Sequence, residues 1–335
     1  MRIDAQLSPG DPDIAGRARA AEQAGRHTLW IGESSGDCFL EALHAAHATG
    51  TLGIGTAVAI AFARTPMTTA YSSYTLASMS RGRFVLGLGT QVKAHIERRF
   101  GMPWSHPAPR MAEFVRALRA IWSAWQDGTA LDFRGEFYAH TLMAPFFTPR
   151  PHPWGPPPVY LAGVGELMTQ VAGEVADGWI WHAFTTQRYL REVSLPALER
   201  GLAGRQDGPG ELARTGPAFV TTGRDDAELD AAVRGTKKQI AFYASTPAYR
   251  AVLDRHGLSE LQPELSRLAR HGRWDEMTGL IPEGLLHEVS AVGSPAEAGR
   301  ELRSRWADIA TSITLYAPYD VAPDALTEVA AAAQG

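Results

Sequence analysis

The stretch GRFVLGLGTQVKAHIERRFG, Gly82 to Gly101, sets the pair Gly87-Leu88-Gly89 after an apolar run and before a charged, helix-compatible segment. A dinucleotide fingerprint, G-x-G-x-x-G, needs a third glycine so that its helix can pack closely on the strand, and Val92 stands at that position. The acidic residue that would hold a ribose about 20 residues further on is no better placed, because Glu113 lies inside an amphipathic segment rather than at a strand end. The stretch therefore reads as a strand, Phe84 to Leu88, followed by its loop. Its surroundings decide the fold.

Working outward, RIDAQ (Arg2 to Gln6), HTLWI (His27 to Ile31) and LGIGTAVA (Leu52 to Ala59) are strands one to three, and Phe84 to Leu88 is the fourth. VYLAG (Val159 to Gly163), GWIWH (Gly178 to His182), PAFVTT (Pro217 to Thr222) and SITLY (Ser312 to Tyr316) complete eight. Helical patterns alternate with them. The first has Asp11 as N-cap, Pro12 at its first position and Gly25 just beyond its end; another opens at Thr65-Pro66 and runs to about Ser80. Arg110 to Asp127 places Met111, Phe114, Val115, Leu118, Ile121, Trp122 and Trp125 at helical spacing, which marks them as core rather than a cofactor box. Further helices are expected at Gly165 to Ala176, Thr186 to Ala203, Asp225 to Ala244 and Pro295 to Trp306. Leu131 to Pro158 is proline-rich without helical period and reads as a hairpin-like insertion followed by an extended linker. Thr246 to Ser290 is extra helical material. The sum is an α/β chain: a (β/α)8 TIM barrel forming one domain over residues 1–335, with insertions after strands four and seven, at about 128–158 and 246–290. A doubly wound sheet is the runner-up.

Composition narrows the chemistry. With 45% hydrophobic and 20% charged residues the chain is an ordinary globular one, and a net charge of −4 of mixed sign gives no electrostatic footprint for nucleic acid or an anionic membrane. Cys38 is the only cysteine, which excludes an intrachain disulfide, a Cys-based zinc site and an iron–sulfur cluster. The N-terminus has no apolar h-region and no apolar run reaches membrane-spanning length, so a cytoplasmic protein is expected. A small molecule is the expected partner.

In a barrel the active site lies at the C-terminal ends of the strands. The residues there are mostly small, apolar or uncharged, from Gln6 through Thr56 to Ala59 and on to Ala317 to Tyr319. No P-loop is present, and His95, Glu97 and His182 are too scattered for a metal site, so none is expected. What remains is a smooth-walled pocket suited to a large planar cofactor that brings its own chemistry. In VYLAGVGELMTQVAGEVADGWIWH, Val159 to His182, the small-residue turn Gly163-Val164-Gly165 leads directly into a helix. It reads either as an anion site made by free N–H groups or as a tight turn needing glycine for its backbone angles.

AEQAGRHTLWIGE (Ala21 to Glu33), LGIGTAVAIAFARTPMTTA (Leu52 to Ala70), SRGRFVLGLGTQVKAHIERRFGMPWSH (Ser80 to His106) and PPPVYLAGVGELMTQVAGEVADGWI (Pro156 to Ile180), in this order, resemble the bacterial-luciferase-like superfamily of flavin and deazaflavin enzymes. GLGTQVKAHIERRFGMPWSHPAPRM is most similar to the actinobacterial branch of coenzyme F420-dependent oxidoreductases. The resemblance implies a non-prolyl cis peptide after Thr56, at Ala57-Val58, backing the central ring of the cofactor. It implies that Gly89 and Thr90 form part of the pocket wall, and that Gly163, Val164 and Gly165 bind the cofactor phosphate, joined by His182. Arg64, Lys93 or Arg98 would attract the polyanionic F420 tail, or are solvated surface charges. The chain departs from its relatives after strand two, where GESSGDCFL lacks the histidine that often handles a proton, and after strand four, where Gln91, Val92 and Lys93 replace the glutamate of the sugar-phosphate dehydrogenases. Glu33, Asp37 and His182 are the candidates for catalytic proton transfer, with Glu33 equally readable as a buried structural acid.

The expected function is an F420-dependent oxidoreductase that exchanges a hydride between the deazaflavin C5 and a small, fairly apolar substrate. Two alternatives stand beside it: an FMN-dependent monooxygenase that uses reduced flavin, supplied by a partner reductase, with O2, and a non-catalytic flavin- or deazaflavin-binding protein. A homodimer is the family expectation.

Overall fold

The computed structural model describes residues 1–8, 10–205 and 211–335. Eight parallel strands form a closed ring: β1 (Arg2–Leu7), β2 (Thr28–Ile31), β3 (Gly53–Thr56), β4 (Phe84–Gly89), β5 (Val159–Ala162), β6 (Gly178–Ile180), β7 (Ala213–Thr222) and β8 (Ser312–Tyr316). Each pairs in parallel with the next, and β8 returns to β1 through Arg2 opposite Ser312. The barrel expectation holds, and helices cover its outside as βα connectivity requires.

Among the buried polar groups of the barrel, one carboxylate stands out. Asp4 of β1 is buried and accepts hydrogen bonds from Thr28 N (3.1 Å), Trp30 Nε1 (2.8 Å), Thr215 Oγ1 (3.3 Å) and Ser312 Oγ (2.6 Å). Four donors on one carboxylate tie β1, β2, β7 and β8 together toward the N-terminal end of the ring. The helix Pro107–Gln126 buries Phe114, Leu118, Ile121, Trp122 and Trp125 in the main core, as its periodicity predicts. Its buried Glu113 accepts from the N–H groups of Glu136, Phe137 and Tyr138, which anchors the small hairpin Phe133–Arg134 with Ala139–His140 in the first insertion. The second insertion carries helices Arg250–Asp254, Leu261–Arg270, Trp274–Gly279 and Glu283–Val289. They build a separate apolar cluster with Phe184, Phe219 and Ile240.

Several boundaries differ from expectation by a few residues, three of them instructively, and one strand is additional. The first helix is Ile14–Gln23 with Asp13, not Asp11, as its cap: the Asp13 carboxylate accepts from Gly16 N, while Asp11 accepts from Asp13 N and pairs with Arg17. β3 stops at Thr56, the Ala57–Val58 peptide is cis, and the chain pairs again at Ala59–Ile60 beside the end of β4. β7 begins at Ala213, four residues before the apolar run, because it serves three neighbours in succession along its length. One of these is Ser290–Gly293, a short parallel strand outside the ring with too few apolar residues to stand out in the sequence. Among the described residues no helix is long and apolar enough to cross a membrane.

Candidate active site

The glycines of the Gly82–Gly101 stretch are required by close approach. A Cβ on Gly87 would lie 1.8 Å from the Thr56 carbonyl oxygen, and one on Gly89 would lie 2.5 Å from Val58 Cγ2. Thr56 Oγ1 donates to Gly87 O (2.7 Å) and accepts from Gly87 N (2.9 Å), so its hydroxyl joins β3 to β4 inside the wall. The Ala57–Val58 bulge thus sits on a strand without side chains at the contact. That is neither a phosphate cradle nor ordinary core.

Glu33 brackets the bulge from the other side. Its backbone N–H donates to Val58 O (3.3 Å), and its carboxylate accepts from Ile60 N (2.7 Å) and from both Arg64 nitrogens (2.7 and 2.5 Å). The Glu33 side chain is 7% exposed and Arg64 18%, so this is a bidentate, largely dry ion pair. Asp37 caps the helix Cys38–Ala48 by accepting from Phe39 N and Leu40 N, and lies 3.5 Å from Arg64. Neither acid lines the central cavity. Cys38 is buried, and that burial pushes its thiol well above the usual range, which leaves it unreactive.

A cavity of about 290 Å³ opens at the C-terminal ends of the strands. Ala57, Val58, Val164 and His182 line it, as expected; Gln6, Trp30, Trp181, Thr314, Tyr243 and Tyr316 complete much of the wall. None of its lining residues is an Asp, Glu, Lys or Arg. Thr56, Gly89 and Thr90 are not part of its lining. Lys93 is exposed and faces Glu97 at 3.8 Å, and Arg64 is engaged by Glu33, so neither cation reaches the cavity.

Gly163, Val164 and Gly165 lead into the helix Glu166–Val175. Trp179 Nε1 donates to Gly163 O (3.1 Å) and Tyr189 Oη to Val164 O (3.3 Å), which fixes the carbonyls of the turn from inside. The first helical bond is Thr169 N to Gly165 O, so the N–H groups of Glu166 to Met168 precede it. A Cβ on Gly163 would sit 3.0 Å from Thr169, whereas nothing lies within 4 Å of one on Gly165. Glycine is needed for packing at 163 and leaves open space at 165.

His182 follows β6. Its Nδ1 accepts from Phe184 N (3.1 Å), and burial lowers its pKa to about 4. At neutral pH it is therefore uncharged with its proton on Nε2, which has no hydrogen-bond partner among the described residues. Its ring stacks on Tyr249 (4.4 Å, 19°) and meets Tyr243 edge-on (4.6 Å). These tyrosines escape the sequence reading. Tyr316 is the last residue of SITLY and so stands at a strand end, but Tyr243 and Tyr249 belong to the β7 helix and the insertion, with no local pattern to place them.

Among the described residues no three His, Cys, Asp or Glu side chains group as a metal site would require. The chain is 50% identical over 307 residues to an uncharacterized protein of Mycobacterium tuberculosis (strain H37Rv), covering 91% of this chain and 90% of the relative. It is 28% identical over 290 residues to a second protein of that organism, with 82% of each covered, whose name provisionally makes it a coenzyme F420-dependent oxidoreductase. Among solved structures, the coenzyme F420 dependent tetrahydromethanopterin reductase from Methanopyrus kandleri superposes with a TM-score of 0.79 at 21% identity, covering 98% of this chain and 97% of that one. The sequence profile of the luciferase-like monooxygenase family matches residues 2–312, and the chain belongs to that family.

Proposed function

We propose that the protein is an oxidoreductase that binds coenzyme F420 in the central cavity and acts on a small organic substrate beside it. The observation that carries this reading is a strand-end cavity whose lining has no ionised side chain, floored by the Ala57–Val58 bulge and flanked by an open helix N-terminus at Gly165. Such walls offer no ionised acid, base or cation, which supports a reaction whose reactive atoms come with a bound group.

The residues present fit that group. The bulge, seated against Gly89 and bracketed by Glu33, would back a planar ring, and the N–H groups from Glu166 to Met168 would receive a phosphate. A bound deazaflavin would accept or donate a hydride at C5. The chain's own contribution is to orient the ring, to exclude water with Trp30, Trp181 and Ile180, and to present uncharged donors from His182, Tyr243 and Tyr316. Cations for an oligoglutamate tail would come from outside the cavity, since Arg64 is committed to Glu33.

A reduced-FMN monooxygenase is the second reading, favoured by the family match itself. Co-crystals grown with F420 test the first. The expected result is a tricyclic ring against Val58 with the phosphate at Gly163–Gly165; a ring bound elsewhere, or FMN taken at that position while F420 is refused, would overturn it.

A further inference from the structure

In the ring order β1 to β8, β7 stands four strands from β3, diametrically across the barrel from the bulge. The wall on that side is aromatic. Tyr316 ends β8, Tyr243 comes from the helix Asp226–Ala244 that follows β7, and both line the cavity. Their hydroxyls lie 3.2 Å apart. The two phenols carry two protons and their mutual hydrogen bond uses one, so one O–H has no acceptor among the described residues.

Both rings are held from behind. Phe219 meets Tyr316 at 4.9 Å, and His182 meets Tyr243 edge-on while stacking on Tyr249 from the second insertion. Phenols locked by packing make a rigid donor site that needs little further ordering when a ligand arrives. The unpaired O–H is on the cavity lining, where a ligand oxygen can accept it.

We propose that the Tyr243–Tyr316 phenol pair, with the Nε2–H of His182 beside it, is the substrate anchor, and that it selects an uncharged, largely apolar molecule presenting one carbonyl or hydroxyl oxygen. This rests on the cofactor reading of the same cavity, since a ring on the bulge leaves the β7–β8 wall to the substrate. The charge preference follows from the lining. A carboxylate or phosphate brought here would find neutral donors only, and an ion moved out of water without a counter-charge is disfavoured. The anchor also assigns a task to the second insertion, whose Tyr249 fixes His182 and whose helices pack under Tyr243.

The test is binding of three probes of one shape, cyclohexanone, methylcyclohexane and cyclohexanecarboxylate, read by the fluorescence of Trp30 and Trp181, with and without F420. Wild-type protein, Tyr243→Phe and Tyr316→Phe are compared, and the F420 Kd is measured separately for each. The expected result is that cyclohexanone binds at least tenfold more tightly than cyclohexanecarboxylate. Either phenylalanine variant should erase most of its advantage over methylcyclohexane while changing the F420 Kd less than twofold. Carboxylate binding equal to the ketone, no saturable ketone binding, or ketone binding unchanged in both variants overturns the anchor. Failure of wild type to bind F420, with the ketone pattern intact, overturns the cofactor reading and leaves the anchor standing.

Discussion

Glu33 stands two residues beyond β2 with both carboxylate oxygens occupied, and its position defines what an acid can do here. Its carboxylate is held by Arg64 and Ile60 N and is not part of the cavity lining. Removing one partner of a buried, hydrogen-bonded pair typically costs about 3–5 kcal/mol. Glu33→Gln is therefore expected to lower the thermal unfolding midpoint by several degrees, whereas Asp37→Asn, at a half-exposed cap, changes it little. Calorimetry of the two variants checks this, and equal midpoints would reopen Glu33 as a proton donor. His182 provides a second prediction. Its pKa near 4 lies below its ordinary value of 6.5 because burial penalises the charged ring, so the unfolded chain binds the extra proton more readily. The stabilisation is complete above about pH 6.5 and is lost as pH falls toward 4, at roughly 1.4 kcal/mol per unit. Urea unfolding at pH 7 and pH 4.5 should show wild type losing about 2 kcal/mol more than His182→Gln; parallel losses would contradict it.

The turn Gly163-Val164-Gly165 holds one glycine in close contact with Thr169 and one with open space where a side chain would go. The latter, Gly165, is the N-cap of Glu166–Val175. Aspartate is a favourable N-cap, so Gly165→Asp should fold with unchanged or slightly raised stability. The added negative charge faces the site assigned to the cofactor phosphate, and F420 affinity is expected to fall at least tenfold while the unfolding midpoint holds. Retained affinity would mean that the turn is only a tight connection. This element was legible because its signal is local: a strand, two glycines and a helix start within a dozen residues. The same locality explains why the eight strands and the Thr65-Pro66 helix start could be read directly, the latter capped by Thr65 as its sequence predicts. It also explains the misplaced first cap, since Asp11 and Asp13 offer the same chemistry two residues apart and only the folded turn decides between them.

At the scale of the molecule, what sequence could not reveal is what closure brings together. Asp4 meets Ser312 across 308 positions because β8 returns to β1, while Thr56 meets Gly87 through the pairing of β3 with β4, and Tyr243, on the helix after β7, meets Tyr316 at the end of the adjacent β8. The chemistry of each residue is visible in the chain, but its partner is set by barrel register. The family resemblance supplied the cis peptide and the cavity positions at Ala57, Val58 and Val164. It did not anticipate that Arg64 would be consumed by Glu33, or that an aromatic wall would face the bulge.

Binding of a deazaflavin in this cavity is the proposal on which the other functional predictions depend. It is tested most directly by titrating the purified protein with F420 and, separately, with FMN, following tryptophan fluorescence, because Trp30 and Trp181 line the cavity and Trp179 holds the Gly163 turn. Saturable F420 binding at micromolar or lower concentration is expected, with FMN at least tenfold weaker. Tighter binding of FMN, or no binding of F420, would contradict it.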